Sequence, residues 1–257
     1  MPLPSAGYSL GSPFIELQSV DSTNNYALAQ IHANLAQPGT CYFAHEQIAG
    51  KGQRGKSWAT EKDANIIMTV VLKPGFLQVF QQFQLSACVA VATYGLLKKY
   101  AGASTMIKWP NDLYWENNKI GGILIENVIG KRRKGTTTWD WAVIGIGINV
   151  NQTQFPADIK KAGSLKQITG KEFDAVALAR ELCECFDGTY KKLTHSGFGL
   201  ILNEYNNHLY KKNEIVKFKR DNRVFKATVK NVNENGQLIV EHGVEETFDF
   251  GEVEWVL

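Results

Sequence analysis

Residues 74–97 run without a single Asp, Glu, Lys, Arg or His, and an apolar stretch of that length has to be sheltered by either lipid or protein. Gln78, Gln81, Gln82 and Gln84 decide the matter, because amides in a bilayer core lack partners. The segment is predicted to be a core helix over residues 85–100 with a polar lead-in, so the chain must fold around it as a globular protein with no membrane partner. Residues 1–11 carry neither the basic nor the apolar segment of an export signal. Cys41, Cys88, Cys183 and Cys185 show no CxxC pair and no zinc-like spacing with the five histidines. Reduced, buried thiols in a cytoplasmic protein are the expectation.

Around this helix the pattern alternates irregularly. Ser22-Thr23-Asn24 stands before Leu28, Ile31 and Leu35, an N-cap signal ahead of a helical rhythm. Strands are predicted at 40–46, 66–72, 105–108, 113–115, 119–128 and 139–150, and amphipathic helices at 173–193 and 198–210. Lys131-Arg132-Arg133-Lys134 reads as a solvated hairpin tip. The first 20 or so residues read as irregular, too short for a helix-turn-helix, so no DNA-binding head is expected. Strands and helices mix without a βαβ repeat, which predicts an α+β fold with a mixed β-sheet and flanking helices.

From Asn213 the texture changes to short alternating strands, at 215–218, 225–232, 237–241 and 246–250, with Asn235-Gly236 and His242-Gly243 as turns. Residues 1–210 are therefore expected to form the main domain and 211–257 a small β-barrel or meander. Residues 211–230 hold eight cations and two acids, whereas 231–257 hold seven acids and no Lys or Arg. Such polarity within one small sheet reads first as strands of opposite charge pairing. The whole chain carries only +3 over 257 residues, too little for a duplex-binding face, so any preference for anions must come from local clusters.

One cluster is Gly50-Lys51-Gly52-Gln53-Arg54-Gly55-Lys56-Ser57-Trp58. It satisfies the phosphate-loop pattern G-x-x-x-x-G-K-S, but the pattern needs a helix that crosses back to a parallel strand. Only residues 59–65 separate Trp58 from the next predicted strand, and a crossover takes a dozen or more. The phosphate-loop reading is rejected. Its physical content survives: glycines interleaved with three cations make a backbone able to close around an anion, with Trp58 offering a flat surface to a base. Lys108-Trp109-Pro110-Asn111-Asp112 places a cation and two polar groups at a strand end. Lys119, heading the apolar run that begins Ile120-Gly121-Gly122, needs an anionic partner, and the paired glycines let a ligand approach the backbone. Gly145-Ile146-Gly147-Ile148-Asn149 repeats the theme without the third glycine of a dinucleotide fingerprint.

Taken together, 21–24, 47–58, 108–112, 119–126 and 145–151 resemble the biotin protein ligases in order and spacing, and the C-terminal β module fits as well. The resemblance implies a class II synthetase-like catalytic fold followed by an SH3-like barrel. It implies ATP-dependent attachment of biotin to a lysine of a biotin carboxyl carrier protein, with biotin and ATP as substrates, Mg²⁺ on the nucleotide and no dedicated protein metal ligands. Lys119 and Arg54 then carry catalysis. Ser22, Thr23, Asn24, Gln47, Lys51, Gly52, Gln53, Lys119, Gly121 and Gly122 surround biotin. Trp58 stacks on adenine, and Lys51, Gln53, Arg54, Lys108, Asn111, Asp112, Lys119 and Asn149 surround the nucleotide.

The loop departs from the family at Lys51 and Gln53, where arginine is usual: lysine keeps the charge without the planar fork, and glutamine loses the charge. A lipoate or octanoate ligase shares the architecture, but its arginine-led glycine motif and its later lysine-x-Ser/Thr-Gly motif are missing. A biotin-responsive repressor adds a DNA-binding domain that is not expected here. A non-catalytic SH3-like binding protein leaves Lys119 and the glycine loop without a purpose. Either a monomer or a homodimer is compatible with the sequence.

Overall fold

A computed structural model of the chain describes residues 8–131, 137–157, 159 and 161–256. The basic tip at 131–134 therefore lies outside the described residues, apart from the backbone of Lys131. The main sheet is built from β1 (Phe14–Leu17), β2 (Cys41–Ala44), β3 (Asn65–Leu72), β4 (Thr105–Lys108), β5 (Asp112–Trp115), β6 (Asn118–Lys131) and β7 (Thr137–Asn149). These seven strands lie in the order β1-β2-β3-β7-β6-β5-β4. Only β1 and β2 run parallel; every other neighbouring pair is antiparallel. The sheet is mixed, as the irregular alternation of elements predicts.

The helices are α1 (Thr23–His32), α2 (Gln82–Ala101), α3 (Leu165–Thr169), α4 (Ala175–Ser196) and α5 (Phe198–Asn207). Period-two alternation in β3 and β7 divides them between two faces. Ile66, Met68, Val70, Leu72, Ile144, Ile146 and Ile148 point to the large core under α2 and α4. On the other face Val71 and Val143 meet Ala27 and Ile31 of α1. The short α1 covers only one end of that face, and the remainder forms the floor of a cleft. The glutamine lead-in of α2 has a structural use: Gln78 and Gln81 cap each other's backbone reciprocally, and Asn127 Nδ2 donates to Gln82 Oε1 at 2.5 Å.

Two departures from the sequence expectations have physical causes. β1 falls in the stretch expected to be irregular. It is a four-residue edge strand held by parallel pairing with β2 and by Phe14 stacking on Phe43 at 6.0 Å, partners that local pattern does not reveal. The last helix ends at Asn207, because the chain peels away to pair with the edge of β4: Ile107 N donates to His208 O and Tyr210 N to Ile107 O, both at 2.8 Å. That pairing covers an otherwise open sheet edge.

The C-terminal region is a second, antiparallel sheet of β8 (Ile215–Arg220), β9 (Arg223–Val232), β10 (Leu238–Glu241), β11 (Glu245–Phe248) and β12 (Glu254–Val256), in the order β11-β10-β9-β8-β12. The last strand has no counterpart in the sequence prediction. The polarised charge does pair across strands, as in Arg220–Glu246 at 2.9 Å and Lys230–Glu241 at 2.7 Å. The module is docked firmly: Trp109 Nε1 donates to Gly236 O at 2.8 Å, and Asn206 exchanges two hydrogen bonds with the Val232 backbone. This docking brings β12 and the turn before it beside the main sheet.

Candidate active site

The cleft floor is a row of positions in register across five strands. Ile67 of β3 pairs with Gly147 of β7, Gly147 with Gly122 of β6, Gly122 with Asp112 of β5 and Asp112 with Lys108 of β4. Residues opposite one another in a sheet share a face, so two glycines that are far apart in sequence become one bare trough. Each glycine lies under a particular side chain. A Cβ on Gly147 would stand 2.6 Å from the Trp58 ring, one on Gly145 2.6 Å from Asn24 Oδ1, and one on Gly122 3.3 Å from Lys119 Nζ.

Lys119 reaches this face because of a bulge. The register between β5 and β6 shifts so that Leu113 faces Gly121 and Tyr114 faces Lys119, leaving Ile120 over. Ile120 is buried in the core beneath the sheet. Without the extra residue, simple alternation would put Lys119 on the same side as Gly121, away from the cleft. Instead Lys119 Nζ pairs with Asp112 Oδ1 at 2.6 Å and lies 5.5 Å from the Trp58 ring.

The inner chamber is bounded by Ser22, Thr23, Gln47, Trp58, Lys119 and the glycine floor, a concave site in which a few polar groups converge. Ser22 holds the N-cap position of α1, but its hydroxyl makes no cap bond and faces the chamber. Thr23 N donates to Gln47 Oε1 at 2.9 Å, which fixes the glutamine. Behind them the Thr69 hydroxyl lies 2.7 Å from Asn24 Oδ1 and 2.8 Å from Thr23 Oγ1. Asn24 Nδ2 donates to Glu126 Oε2 at 2.7 Å. Asn24 thus serves its neighbours on both sides, and Ser22, Thr23 and Gln47 present the polar surface.

The outer chamber opens beyond Trp58 and Lys119. It is bounded by Gln53, Arg54, Lys56, Lys108, Asn111, Asp112, and by Phe250, Gly251, Val253, Glu254 and Trp255 of the C-terminal module. The glycine loop over it is a small hairpin: Trp58 N donates to Gly50 O at 2.9 Å and Gly52 N to Lys56 O at 2.7 Å. Arg54 at its tip is left-handed, with φ 57°, and no helix follows before β3, in agreement with rejection of the phosphate-loop reading. Burial pushes Lys108 down to about 8, and the charges of Lys119, Lys56 and Lys161 act in the same direction against that of Asp112. Beside it, burial pushes the Tyr114 hydroxyl up, so it stays neutral. Asn111 Nδ2 donates to Ile123 O at 2.6 Å.

Two residues singled out in the sequence, Gly121 and Asn149, stand apart from the cleft surface, and a third, Arg54, lies on the outer chamber's wall away from Lys119. Gly121 lies on the opposite face, packed toward the Gly147 carbonyl and Leu113. Asn149 is buried and donates to Gly163 O at 3.0 Å; Gly163 N in turn donates to Lys119 O, so Asn149 acts at one remove by pinning the strand that carries Lys119. Arg54 lines the outer chamber against the C-terminal module, its guanidinium 5.5 Å from the Phe250 ring. Lys51 bonds Asn25 at the rim, and the hydrogen bond from Asn25 holds the Asp21 carboxyl below its usual range. Sequence reasoning missed Thr69, Glu126, Tyr114 and Trp255. Thr69 had a signal, being the hydroxyl inside the apolar run Ile66–Leu72; Trp255 had none.

The fold is that of the biotin protein ligases: the structure of the Aquifex aeolicus biotin protein ligase in complex with biotin and ATP superimposes with a TM-score of 0.78 at 24% identity, over 94% of this chain and 97% of that one. The sequence profile of the Biotin/lipoate A/B protein ligase family matches residues 16–149, and the chain belongs to that family. The bifunctional ligase/repressor BirA of Bacillus spizizenii is 34% identical over 185 residues, 70% of this chain and 55% of that protein. The biotin--[acetyl-CoA-carboxylase] ligase of Paracoccus denitrificans is 32% identical over 199 residues, 74% of this chain and 78% of that one. The chain thus spans just over half the length of the BirA relatives it matches.

Proposed function

We propose that this chain is an ATP-dependent biotin protein ligase. The observation that carries the reading is the position of Lys119, raised by its bulge to the seam between a hydrogen-bonded chamber, with Lys51 at its rim, and a chamber lined by Arg54, Lys56 and Lys108. A ureido ring suits the inner chamber, where Ser22, Thr23 and Gln47 offer donors and acceptors, and its carboxylate then reaches Lys119. Adenine lies on Trp58, and the phosphates lie toward Lys108, Lys56 and Asn111. In the first step a biotin carboxylate oxygen attacks the α-phosphorus, the bond to the β-phosphate breaks and pyrophosphate leaves. The step brings two anions together, and fixed cations at the seam stabilise the charge that develops. In the second, an acceptor lysine amine attacks the acyl carbon, AMP leaves with the electron pair of the broken C–O bond, and the new amide nitrogen gives up its one surplus proton.

Mg²⁺ is read as travelling on the nucleotide, whose phosphate oxygens suit that hard cation. The acceptor is read as a biotin carboxyl carrier domain in the cytoplasm, and the C-terminal sheet as an SH3-like module of residues 211–257. Among the described residues no helix is long and apolar enough to cross a membrane. The test is mass spectrometry of an apo carrier domain incubated with the protein, biotin and MgATP. One added biotinyl group, only when all are present, is the expected result; no biotinyl group, but lipoyl transfer once lipoate replaces biotin, would support the lipoate or octanoate ligase reading.

A further inference from the structure

We infer that Trp255, on the last strand of the C-terminal sheet, is a binding residue of the outer chamber that donates its indole N–H to an anionic oxygen of the nucleotide and encloses Lys108 for the same anion. The inference rests on the reading of the outer chamber as a nucleotide site and assigns the C-terminal module a part in it.

The first observation is an unanswered donor. Trp255 lines the outer chamber, and its Nε1 is buried without a hydrogen-bond partner. An indole N–H can only donate, and a buried donor left alone is costly enough that native structures rarely keep one without a reason. Trp109, on the same chamber wall, provides the contrast: its Nε1 is answered by Gly236 O at 2.8 Å. Rotation cannot relieve Trp255, because its ring is set among Phe218 and Tyr210 at centroid distances of 4.9 and 5.9 Å. Two further partnerless buried atoms, Gln53 Oε1 and Trp58 Nε1, line the same chamber.

The second observation is Lys108. Its Nζ lies 5.5 Å from the Trp255 ring on one side and 4.9 Å from the Tyr114 ring on the other, with Tyr114 Oη at 3.4 Å. Lys119 next to it has Asp112 as counter-ion, whereas among the described residues no carboxylate lies within ion-pair distance of Lys108. A lysine buried from water with no carboxylate at ion-pair distance holds its charge less readily until an anion arrives. The groups facing it are Asp112 and Tyr114 from β5, Lys119 from β6, Lys56 from the glycine loop, Lys161 from the segment paired with Lys119, and Trp255 from β12. A donor-only indole and a cation short of its counter-ion share one complement, a phosphate oxygen. Filling the chamber restores the full ammonium, so nucleotide binding takes up a proton near pH 8.

The test begins with Trp255→Phe, which keeps the ring and removes the N–H. In biotin-dependent pyrophosphate exchange its KM for ATP rises about tenfold, the loss of one hydrogen bond to a charged group, with the KM for biotin unchanged. A KM for ATP equal to that of the unaltered protein, or equal rises for both substrates, overturns the inference. Calorimetry of MgATP alone, repeated at pH 8 in buffers of different ionisation heat, supplies a reading independent of biotin. The unaltered protein takes up a fraction of a proton, Lys108→Arg takes up none, and Trp255→Ala takes up less than the unaltered protein; uptake unchanged in Lys108→Arg overturns the part assigned to Lys108. Should the unaltered protein catalyse no exchange but show this proton uptake, the proposed activity falls and the nucleotide seat stands.

Discussion

The two chambers of the cleft share a floor and differ in almost everything else. In the inner chamber the polar groups are largely answered by one another: Thr69 holds Asn24 and Thr23, Glu126 holds Asn24, and Thr23 holds Gln47. Toward the outer chamber the Trp255 donor is unanswered, as are the Trp58 donor and the Gln53 oxygen on the wall that both chambers share, and among the described residues no carboxylate lies within ion-pair distance of Lys108. On the proposed reading, the first arrangement is a preformed mould for a neutral ring. The second is completed by the ligand's charge, and its walls come from a hairpin loop and a separate module. Rigidity is therefore concentrated where shape must be read, and unsatisfied charge where a polyanion must be drawn in.

The contrast can be tested from its seam outward. Lys119→Ala removes the one cation that serves both chambers and is expected to lower pyrophosphate exchange a hundredfold or more, in line with the loss of about 3 kcal/mol from a preorganised electrostatic group. Near-full exchange by that variant would remove Lys119 from the mechanism. Next, Thr69→Val takes the donor from Asn24 and leaves a buried amide oxygen unpaired, at a cost of about 1–3 kcal/mol. The expected outcome is a KM for biotin raised about tenfold, an unchanged KM for ATP and a lower melting temperature; a matching rise for ATP would mean the chambers are not separable.

Lys108→Met is expected to do the reverse, raising the KM for ATP several-fold and flattening its dependence on salt while biotin binding stays put. Lys108 titrates at about 8 in the free protein. Its charge is therefore present below that pH and lost above it, so ATP affinity of the unaltered protein should weaken as pH rises through 8, and that of Lys108→Arg should not. The smallest effect is expected at Arg54, which is placed against Phe250 and away from Lys119. A half-exposed cation–π contact is worth about 0.5–1 kcal/mol, so Phe250→Ala should raise the rate of adenylate loss only two- to fivefold, measured by chasing labelled intermediate. A hundredfold change there would show that the module governs the loop far more strongly than this contact allows.

Much of the molecule is legible in sequence because it depends on local pattern. The apolar stretch at 85–100 became the central residues of α2, the runs at 66–72 and 139–150 became β3 and β7, and the glycine loop was separated from a phosphate loop by counting the residues that follow it. Family motifs placed Ser22, Thr23, Gln47, Trp58, Lys108, Asn111 and Lys119 around one cleft. What failed locally depended on distant partners: β1 exists because β2 offers it a parallel edge, and Gly121 was grouped with Gly122 although neighbours on a strand face opposite ways. Trp255 stands in a three-residue strand that exists only by pairing with β8.

By itself, then, the sequence determined most of the strands and helices, which residue types carry charge and glycine, and that an α+β body precedes a small β module. Tertiary structure decided that Gly122 pairs with Gly147 to make one trough, that the bulge at Ile120 turns Lys119 into it, and that Trp255 closes its outer end. The physical reason is parity. A strand's side chains alternate, so composition can name two possible faces but cannot choose between them, and a single unpaired residue exchanges one for the other. Register and bulges are settled by pairing between segments far apart in the chain, and that information first appears when the sheet is assembled.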